Sequence, residues 1–534
     1  WNYLAAWGYA LRQPGASEAI YDRYCSYYTA ALEQWWLDLK GRRQRPALAE
    51  MKVEIENARL AWTWALERLQ IDRLVRAVDG LVYFYWLCER SCEGETLCQQ
   101  AAEKLSAAVQ RPAAAPGEDA WLLAKLISRL DFFRWWQGYT NQAAYTLADS
   151  LNLLDEIDAA GGMDTRGEHA YILWRMSWYS NREDARCLLE ECLAIYRLAG
   201  DLWWIATVMG DLSLTYHDLS DYEQAWQIEK ECLALRRSLG DQIGMVDSLW
   251  RMSLTAWVQG RLDESEKLAR ESMEICREVE DPSTTALGCR TLGEIFLRKG
   301  DFAASLALFN EGLAIYDEMG DESFPMFIYV ILGEAQAHMG LYDLALANLQ
   351  KAFCSSLTGQ YTWWSGYIRY VMGLIYLGMG QLENAAAELD QAIPVFRGLK
   401  QKDNLSWTLA LAGMAANAQG RPEPARAMIM EALQLGVEIR ALIPMLYSLP
   451  GAALLLAQQG RTEQALEIYA LASRYGFVAK SAFFEQVTGS RIAALAAGLP
   501  LETVQAAQDR GRSLDLFAAG QALLDQGLDL GLPA

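Results

Sequence analysis

Residues able to do acid–base, nucleophilic or metal chemistry are few and scattered in this chain. Three histidines, His169, His217 and His338, serve 534 residues, and they show neither the close spacing of a zinc-binding pair nor an adjacent nucleophile for a triad. Carboxylate pairs such as Glu190-Glu191 sit in charged helical stretches, where solvated side chains are the ordinary outcome. Cys88, Cys92 and Cys98 lie close in sequence, but no histidine accompanies them, and Cys88 shares its helix with Tyr83 and Trp86. That context points to reduced core thiols, not a metal cluster. No Gly-x-x-x-x-Gly-Lys-Ser/Thr loop is present to cradle a nucleotide phosphate. The expectation is therefore a chain with no catalytic residues, no metal and no cofactor.

Composition narrows the partners. A net charge of −21 argues against nucleic-acid binding, which draws most of its affinity from Lys and Arg neutralising phosphates. The one basic cluster, Arg42-Arg43-Gln44-Arg45, is short and reads as a solvated loop. Ten cysteines in so long a chain do not make a disulfide framework, which favours a reducing, cytoplasmic setting. The longest uncharged run, within 441–461, carries Pro444 and Pro450 and reads as a buried helix, not a membrane span. A first residue Trp1 in place of Met suggests a piece of a longer protein.

The organisation comes from a phrase repeated every 40 residues: Gly260-Arg261-Leu262-Asp263-Glu264-Ser265, Gly300-Asp301-Phe302-Ala303-Ala304-Ser305, Gly340-Leu341-Tyr342-Asp343-Leu344-Ala345, and again at Gly380, Gly420 and Gly460. Fixed-period self-similarity marks a solenoid. Small residues recur seven positions before the turn: Ser213, Ser253, Gly293, Gly333, Gly373 and Gly413. They would let two helices approach closely, with Leu233, Met273, Leu313, Phe353, Ile393 and Leu433 filling the groove between. In the stretch from Asp281 to Gly320, Pro282 suits a first helical position and Gly300 a left-handed cap. Asp301 then opens a second helix that Gly320 stops. Each unit is a helical hairpin.

These residues, from Leu292-Gly293-Glu294-Ile295-Phe296 through Gly300-Asp301-Phe302 to Leu306, Phe309 and Leu313, resemble the tetratricopeptide (TPR) repeat in a long form of about 40 residues. Such repeats are similar to the C-terminal sensor regions of bacterial STAND-type signal-transduction NTPases and related transcription activators. The stretch from Glu54-Ile55-Glu56-Asn57 to Trp62-Thr63-Trp64-Ala65 resembles the helix that follows the NTPase and winged-helix modules in that group. Residues Ala470-Leu471-Ala472, Arg510-Gly511-Arg512-Ser513 and Phe517 to Leu523 resemble its closing cap.

The resemblance implies an all-α, right-handed superhelical solenoid of stacked antiparallel hairpins. It divides into an N-terminal helical adaptor (1–70), divergent TPR-like hairpins (71–160), regular repeats (161–475) and C-terminal capping helices (476–534). It further implies that the first helix of each repeat lines a concave wall. On that wall it places Trp250 and Trp257; Arg290, Glu294 and Arg298; Phe327, Glu334 and His338; Tyr367 and Tyr370; Trp407 and Asn417; and upstream His217, Asp218, Trp174 and Trp178. Large aromatics alternating with Arg and Glu are typical of recognition surfaces. The doublets Trp35-Trp36, Trp135-Trp136, Trp203-Trp204 and Trp363-Trp364 read instead as packing wedges between hairpins. The implied function is a sensor arm that binds a protein, peptide or small effector in its groove and reports to an upstream NTPase module. The alternative is a stand-alone scaffold assembling protein partners.

Overall fold

The computed structural model describes residues 16–88, 90–109, 117–137, 140–161, 163–279, 281–320, 325–354 and 362–527. Among them every regular element is a helix. The loop expected at Arg111–Gly117 lies outside the described residues apart from Gly117, as do the side chains of Trp136 and Phe353.

The Asp281–Gly320 hairpin shows why these residues fold as they do. Asp281 accepts a hydrogen bond from the Thr284 N–H at 3.0 Å, Pro282 occupies the first turn, and Gly300 ends the helix in the left-handed region at φ 76°. Asp301 then caps the partner helix, which Gly320 closes at φ 69°. Among the described residues, four other than glycine adopt the same left-handed geometry: Leu69, Ser220, Lys400 and Arg440. Ser220 stands where other repeats carry the turn glycine, and Lys400 and Arg440 where they carry Gly200, Gly240 and Gly320, each at roughly 1–2 kcal/mol of backbone strain.

Close approach within the hairpins is also visible. A Cβ on Gly293 would stand 2.5 Å from the Phe309 ring, and one on Gly373 2.5 Å from Leu389. The bulk that fills the space beside the small residues therefore comes one helical turn earlier than expected, from Phe309 and Leu389. Leu313 and Ile393, assigned that role by spacing, are only half-buried, whereas Leu233, Met273 and Leu433, assigned the same role, are buried.

Two compact units divide the chain. The first comprises residues 1–212 and 232–244, the second 213–231 and 245–534, so the division falls inside the regular array. Helices α1 (Ala16–Leu39), α2 (Gln44–Glu67), α3 (Ile71–Leu87), α4 (Ser91–Val109), α5 (Glu118–Gln137), α6 (Thr140–Ala160), α7 (Arg166–Ser177) and α8 (Arg182–Ala199) belong to the first unit. Neighbours pair there as α1 with α2, α4 with α5 and α7 with α8. The division passes through α9 (Leu202–Asp218), α10 (Tyr222–Leu239) and the first turn of α11 (Gln242–Val258).

The second unit continues with α12 (Leu262–Val279), α13 (Pro282–Lys299), α14 (Phe302–Met319), α15 (Pro325–His338), α16 (Tyr342–Cys354) and α17 (Thr362–Gly378). There follow α18 (Leu382–Gly398), α19 (Lys402–Ala418), α20 (Pro422–Glu438), α21 (Leu442–Gln458) and α22 (Thr462–Ala472). The pairs α13–α14, α15–α16, α17–α18, α19–α20 and α21–α22 are its hairpins, and one hydrophobic core runs from Tyr222 to Leu523. Helix α21, which carries Pro450, is buried from Leu442 to Ala457, so the longest uncharged run is core, as expected.

After α22 the period breaks into shorter pieces: α23 (Gly476–Ala479), α24 (Ala482–Phe484), a π-turn at Glu485–Gly489, α25 (Ser490–Ala496), α26 (Leu501–Ser513) and α27 (Leu516–Gln526). Helix α26 packs on α22, and α27 on α20 and α21, capping the last hairpin. The pieces between them run back to earlier repeats, with α23 against α13, α24 against α15 and the π-turn against α17 and α21.

Candidate binding surface on the repeat wall

Within the second unit, the alternate helices α11, α13, α15, α17, α19 and α21 bring most of the expected wall residues together. At their centre Arg298 forms a two-pronged ion pair with Glu334, at 2.6 and 3.0 Å, and donates to the Tyr367 hydroxyl at 3.0 Å. Tyr367 and Tyr370 donate to the two Glu334 oxygens at 2.5 and 3.2 Å. The Tyr370 and Tyr447 hydroxyls lie 2.6 Å apart, Tyr447 is 2.9 Å from His338 Nε2, and His338 Nδ1 is 2.9 Å from Ser481 Oγ.

Counting hydrogens orients this relay. Each hydroxyl has one to give, so with Tyr370 committed to Glu334, the short Tyr370–Tyr447 contact takes its hydrogen from Tyr447. His338 then donates from Nε2 to Tyr447 and accepts at Nδ1 from Ser481, which requires a neutral ring. Burial pushes His338 down to about 3, against the pull of Glu334. At Glu334 burial works upward, but the Arg298 charge and the hydrogen bonds from Arg298 and Tyr367 hold the carboxyl below its ordinary range.

The wall expected to be open is sealed at this point. Trp257, Arg298, Glu334, His338, Tyr367, Tyr370 and Trp407 are all at most 6 % exposed, and the segment from Gly476 to Gly489 covers one end of the group, Phe477 lying 5.9 Å from the Arg298 guanidinium and 5.6 Å from the Tyr447 ring. His338 is flanked by Phe302, stacked at 5.5 Å, and by Phe477 at 4.6 Å, Phe484 at 5.7 Å and Phe483 at 5.9 Å. The chain's own aromatic segment thus takes the place assigned to a ligand. Phe477, Phe483 and Phe484 fall in the stretch that loses the 40-residue period, where apolar rings still need burial but nothing in the sequence says against what. Around Arg298, whose guanidinium carbon is 5.2 and 5.4 Å from the Trp257 and Trp407 rings, three N–H groups find no hydrogen-bond partner among the described residues: Arg298 Nε and both indole Nε1.

Other expected positions are internal too. His217 is buried, with Nδ1 3.2 Å from Thr255 Oγ1. Burial lowers its pKa against the pull of Asp218 and Asp403. Half-buried Asp218 adjoins it, and Asn417 is buried. In the first unit, Trp174 and Trp178 share Asp211, their indoles donating to one carboxylate oxygen at 2.6 and 3.3 Å. Trp174 is buried and Trp178 packs over the Arg175 guanidinium at 4.1 Å.

What remains accessible is a rim at the middle of α11 and α13 and the N-terminal ends of α15 and α17. Arg290 stands 5.5 Å from the half-buried Trp250 ring and 3.8 Å from Glu294, both side chains being about one-sixth exposed, at 16 and 17 %. Half-buried Phe327 meets Trp364 at 4.9 Å, and Trp363 stacks on Tyr367 at 4.8 Å, joining the rim to the relay beneath. Burial raises the Glu294 carboxyl, and Arg290 and Arg298 pull it back. Trp363 and Trp364, read from sequence as wedges, are half-buried at this edge, Trp364 packing on Phe327 of the preceding hairpin. A separate cleft of 640 Å³ lies at the turns of the same unit, where Arg261 covers the Trp226 ring at 3.8 Å and Arg440 faces Phe517 at 5.0 Å. Among the described residues no cluster of His, Cys, Asp and Glu could hold a metal, and no helix is long and apolar enough to cross a membrane.

Comparison with known proteins supports the architecture. A Rap protein solved in complex with Competence and Sporulation Factor superposes with a TM-score of 0.50 at 12 % identity, covering 73 % of this chain and 99 % of its own. That is a likeness of fold. A STAND protein with a tetratricopeptide-repeat sensor from Pyrococcus horikoshii aligns over 61 % of this chain and 50 % of its own, at 16 % identity and a TM-score of 0.37. No curated protein matches the sequence. The family profile of the MalT-like TPR region matches residues 252–495, a span that holds both the hairpins and the segment folded over them. The described residues form an all-α array of TPR-like hairpins, and residues 252–495 match the MalT-like TPR region.

Proposed function

We propose that this chain is the binding arm of a cytoplasmic signalling protein, and that it takes a peptide or protein segment on the rim formed by Trp250, Arg290, Glu294, Phe327, Trp363 and Trp364. The observation that carries the reading is the contrast between this rim and the wall below it. Where the relay's charges are consumed by one another and roofed by phenylalanines, the rim keeps aromatic faces, an arginine and a carboxyl in contact with solvent. Such residues dominate the energetics of protein recognition. The likeness of fold to a Rap protein complexed with Competence and Sporulation Factor supports a ligand-responsive role. The sequence resemblance to STAND sensor regions supports coupling to an NTPase module. Cys25, Cys98, Cys192, Cys276 and Cys289 are buried among apolar side chains as thiols, which favours the cytoplasm. A binding role, not catalysis, is what the internal pairing of the titratable groups supports.

The test is selection of a randomised peptide library on the intact chain, followed by fluorescence anisotropy with the enriched peptides. Trp250→Ala and Arg290→Ala are expected to weaken binding by about tenfold or more while leaving the melting temperature nearly unchanged. Peptides that bind both variants as well as the parent would place recognition elsewhere.

A further inference from the structure

The first unit contains a second concave site. A cavity of 240 Å³ opens among α1, α3, α5, α7, α8 and the start of α9, and six charged side chains converge on it: Lys40, Lys125 and Arg129 against Asp79, Glu168 and Asp201. Lys125 bridges Asp79 and Glu168 at 2.8 and 3.0 Å. Arg129 grips Glu168 at 2.7 Å and lies over the Tyr171 ring at 3.5 Å. Lys40 reaches Asp201 at 3.0 Å from the rim, its side chain 17 % exposed. The remaining wall is aromatic, formed by Trp36 and by Tyr196 stacked on Trp204 at 5.2 Å.

Lys125, Arg129 and Glu168 are all at least nine-tenths buried. Desolvating such groups is costly, and packed apolar residues of the same volume are often as stable. Six charges around an open space are therefore poor filler. They are well suited to a guest, and the sum of their charges selects its kind. Three cations and three anions leave the wall neutral, so a guest with a single charge would bring an uncompensated ion into a desolvated site. A molecule carrying one carboxylate and one ammonium adds no net charge and finds partners for both ends. Arg129 Nε, buried and without a hydrogen-bond partner among the described residues, supplies a donor that the resident ion pairs do not consume.

We propose that this cavity binds a small zwitterion of the amino-acid class, its carboxylate held by Lys40 and Arg129, its ammonium by Asp79 and Asp201, and its side chain against Trp36, Tyr196 and Trp204. The site is independent of the rim in the second unit.

Calorimetry and thermal melting of the intact chain with each proteinogenic L-amino acid test this. At least one is expected to bind saturably and raise the melting temperature. Its methyl ester and its N-acetyl derivative, which each lack one charge, are expected to bind roughly tenfold more weakly or not at all. Lys40→Gln alters the rim without touching the buried pairs, and Ala199→Trp fills the cavity from its exposed wall. Both are expected to fold as the parent does and to lose binding. Absence of saturable binding across the panel overturns the proposal. So do blocked derivatives that bind as well as their parent, or binding that persists in both variants.

Discussion

Gly300 and Gly476 meet backbone to backbone. A Cβ on Gly300 would stand 2.2 Å from the Gly476 carbonyl, and one on Gly476 would stand 2.5 Å from the Lys299 carbonyl oxygen. Gly300 is at once the left-handed cap of α13 and the point where the segment after α22 crosses the hairpin turns. Gln486 repeats the contact two turns on, donating to the Gly378 carbonyl at 2.8 Å while accepting from Tyr342 at 3.0 Å. The roof over the relay is therefore seated on repeat turns, a surface the 40-residue phrase keeps small and regular.

Gly476→Ala tests that seating, because Gly476 opens a short helix without a positive φ and only the close approach forbids a side chain. The variant is expected to lift the 476–489 segment, making the amides of Phe483 and Phe484 exchange faster while amides in α1–α6 are unaffected. Unchanged protection in the segment would mean that Lys299 yields instead.

The Arg298–Glu334 pair sits at 5 and 0 % side-chain exposure. Removing one partner leaves a buried charge without compensation, so Arg298→Met is expected to cost about 3–5 kcal/mol in urea unfolding. Arg298→Met combined with Glu334→Leu is expected to recover part of that loss. A double variant as unstable as the sum of the two single ones would show that the pair is not coupled.

The hairpin period and the caps at Gly300 and Asp301 were legible in the sequence, because each follows from spacing along a helix, and the resemblance to TPR repeats implied the grouping of Arg298, Glu334 and Tyr367 on one wall. What covers the wall was not. Phe477 reaches Phe302 and His338 across a separation no repeat rule describes, and the Ser481–His338 contact spans 143 residues. Likewise Lys40 and Asp201 join across 161 residues, so the charged cavity of the first unit has no local signature. The period places side chains on faces; it does not say which later segment those faces receive.

His338 makes stability depend on pH in a definite direction. Its folded pKa of about 3 lies below the unfolded value of about 6.5, so the unfolded chain takes up the proton first as pH falls. The neutral ring's contribution is complete above about 6.5 and is lost below it by roughly 1.4 kcal/mol per pH unit until the folded value is reached. Between pH 6.5 and 4.5, above the range where Glu334 is protonated, His338→Gln is expected to flatten the stability–pH curve relative to the parent. Parallel curves would place a charged histidine, or a solvated one, at this position.

In the first unit, Arg175 and Asp131 form an ion pair at 3.0 Å with both side chains fully buried, and Tyr179 donates to the second Asp131 oxygen at 3.0 Å. Burial pushes the Asp131 carboxyl above its ordinary value even with Arg175 pulling it down, so desolvation is the larger influence there. Asp131→Asn keeps the shape and the acceptor for Arg175 but removes the charge that compensates the guanidinium. It is expected to destabilise the first unit by about 3–5 kcal/mol, read as faster hydrogen exchange in α5 and α7 with little change in α17–α21. Since the Trp178 ring lies against the same guanidinium, its fluorescence should shift with the same variant, whereas Glu190→Gln, on the solvated face of α8, should leave both readouts alone. A loss below about 1 kcal/mol would mean that Arg175 reaches solvent once its partner is neutral.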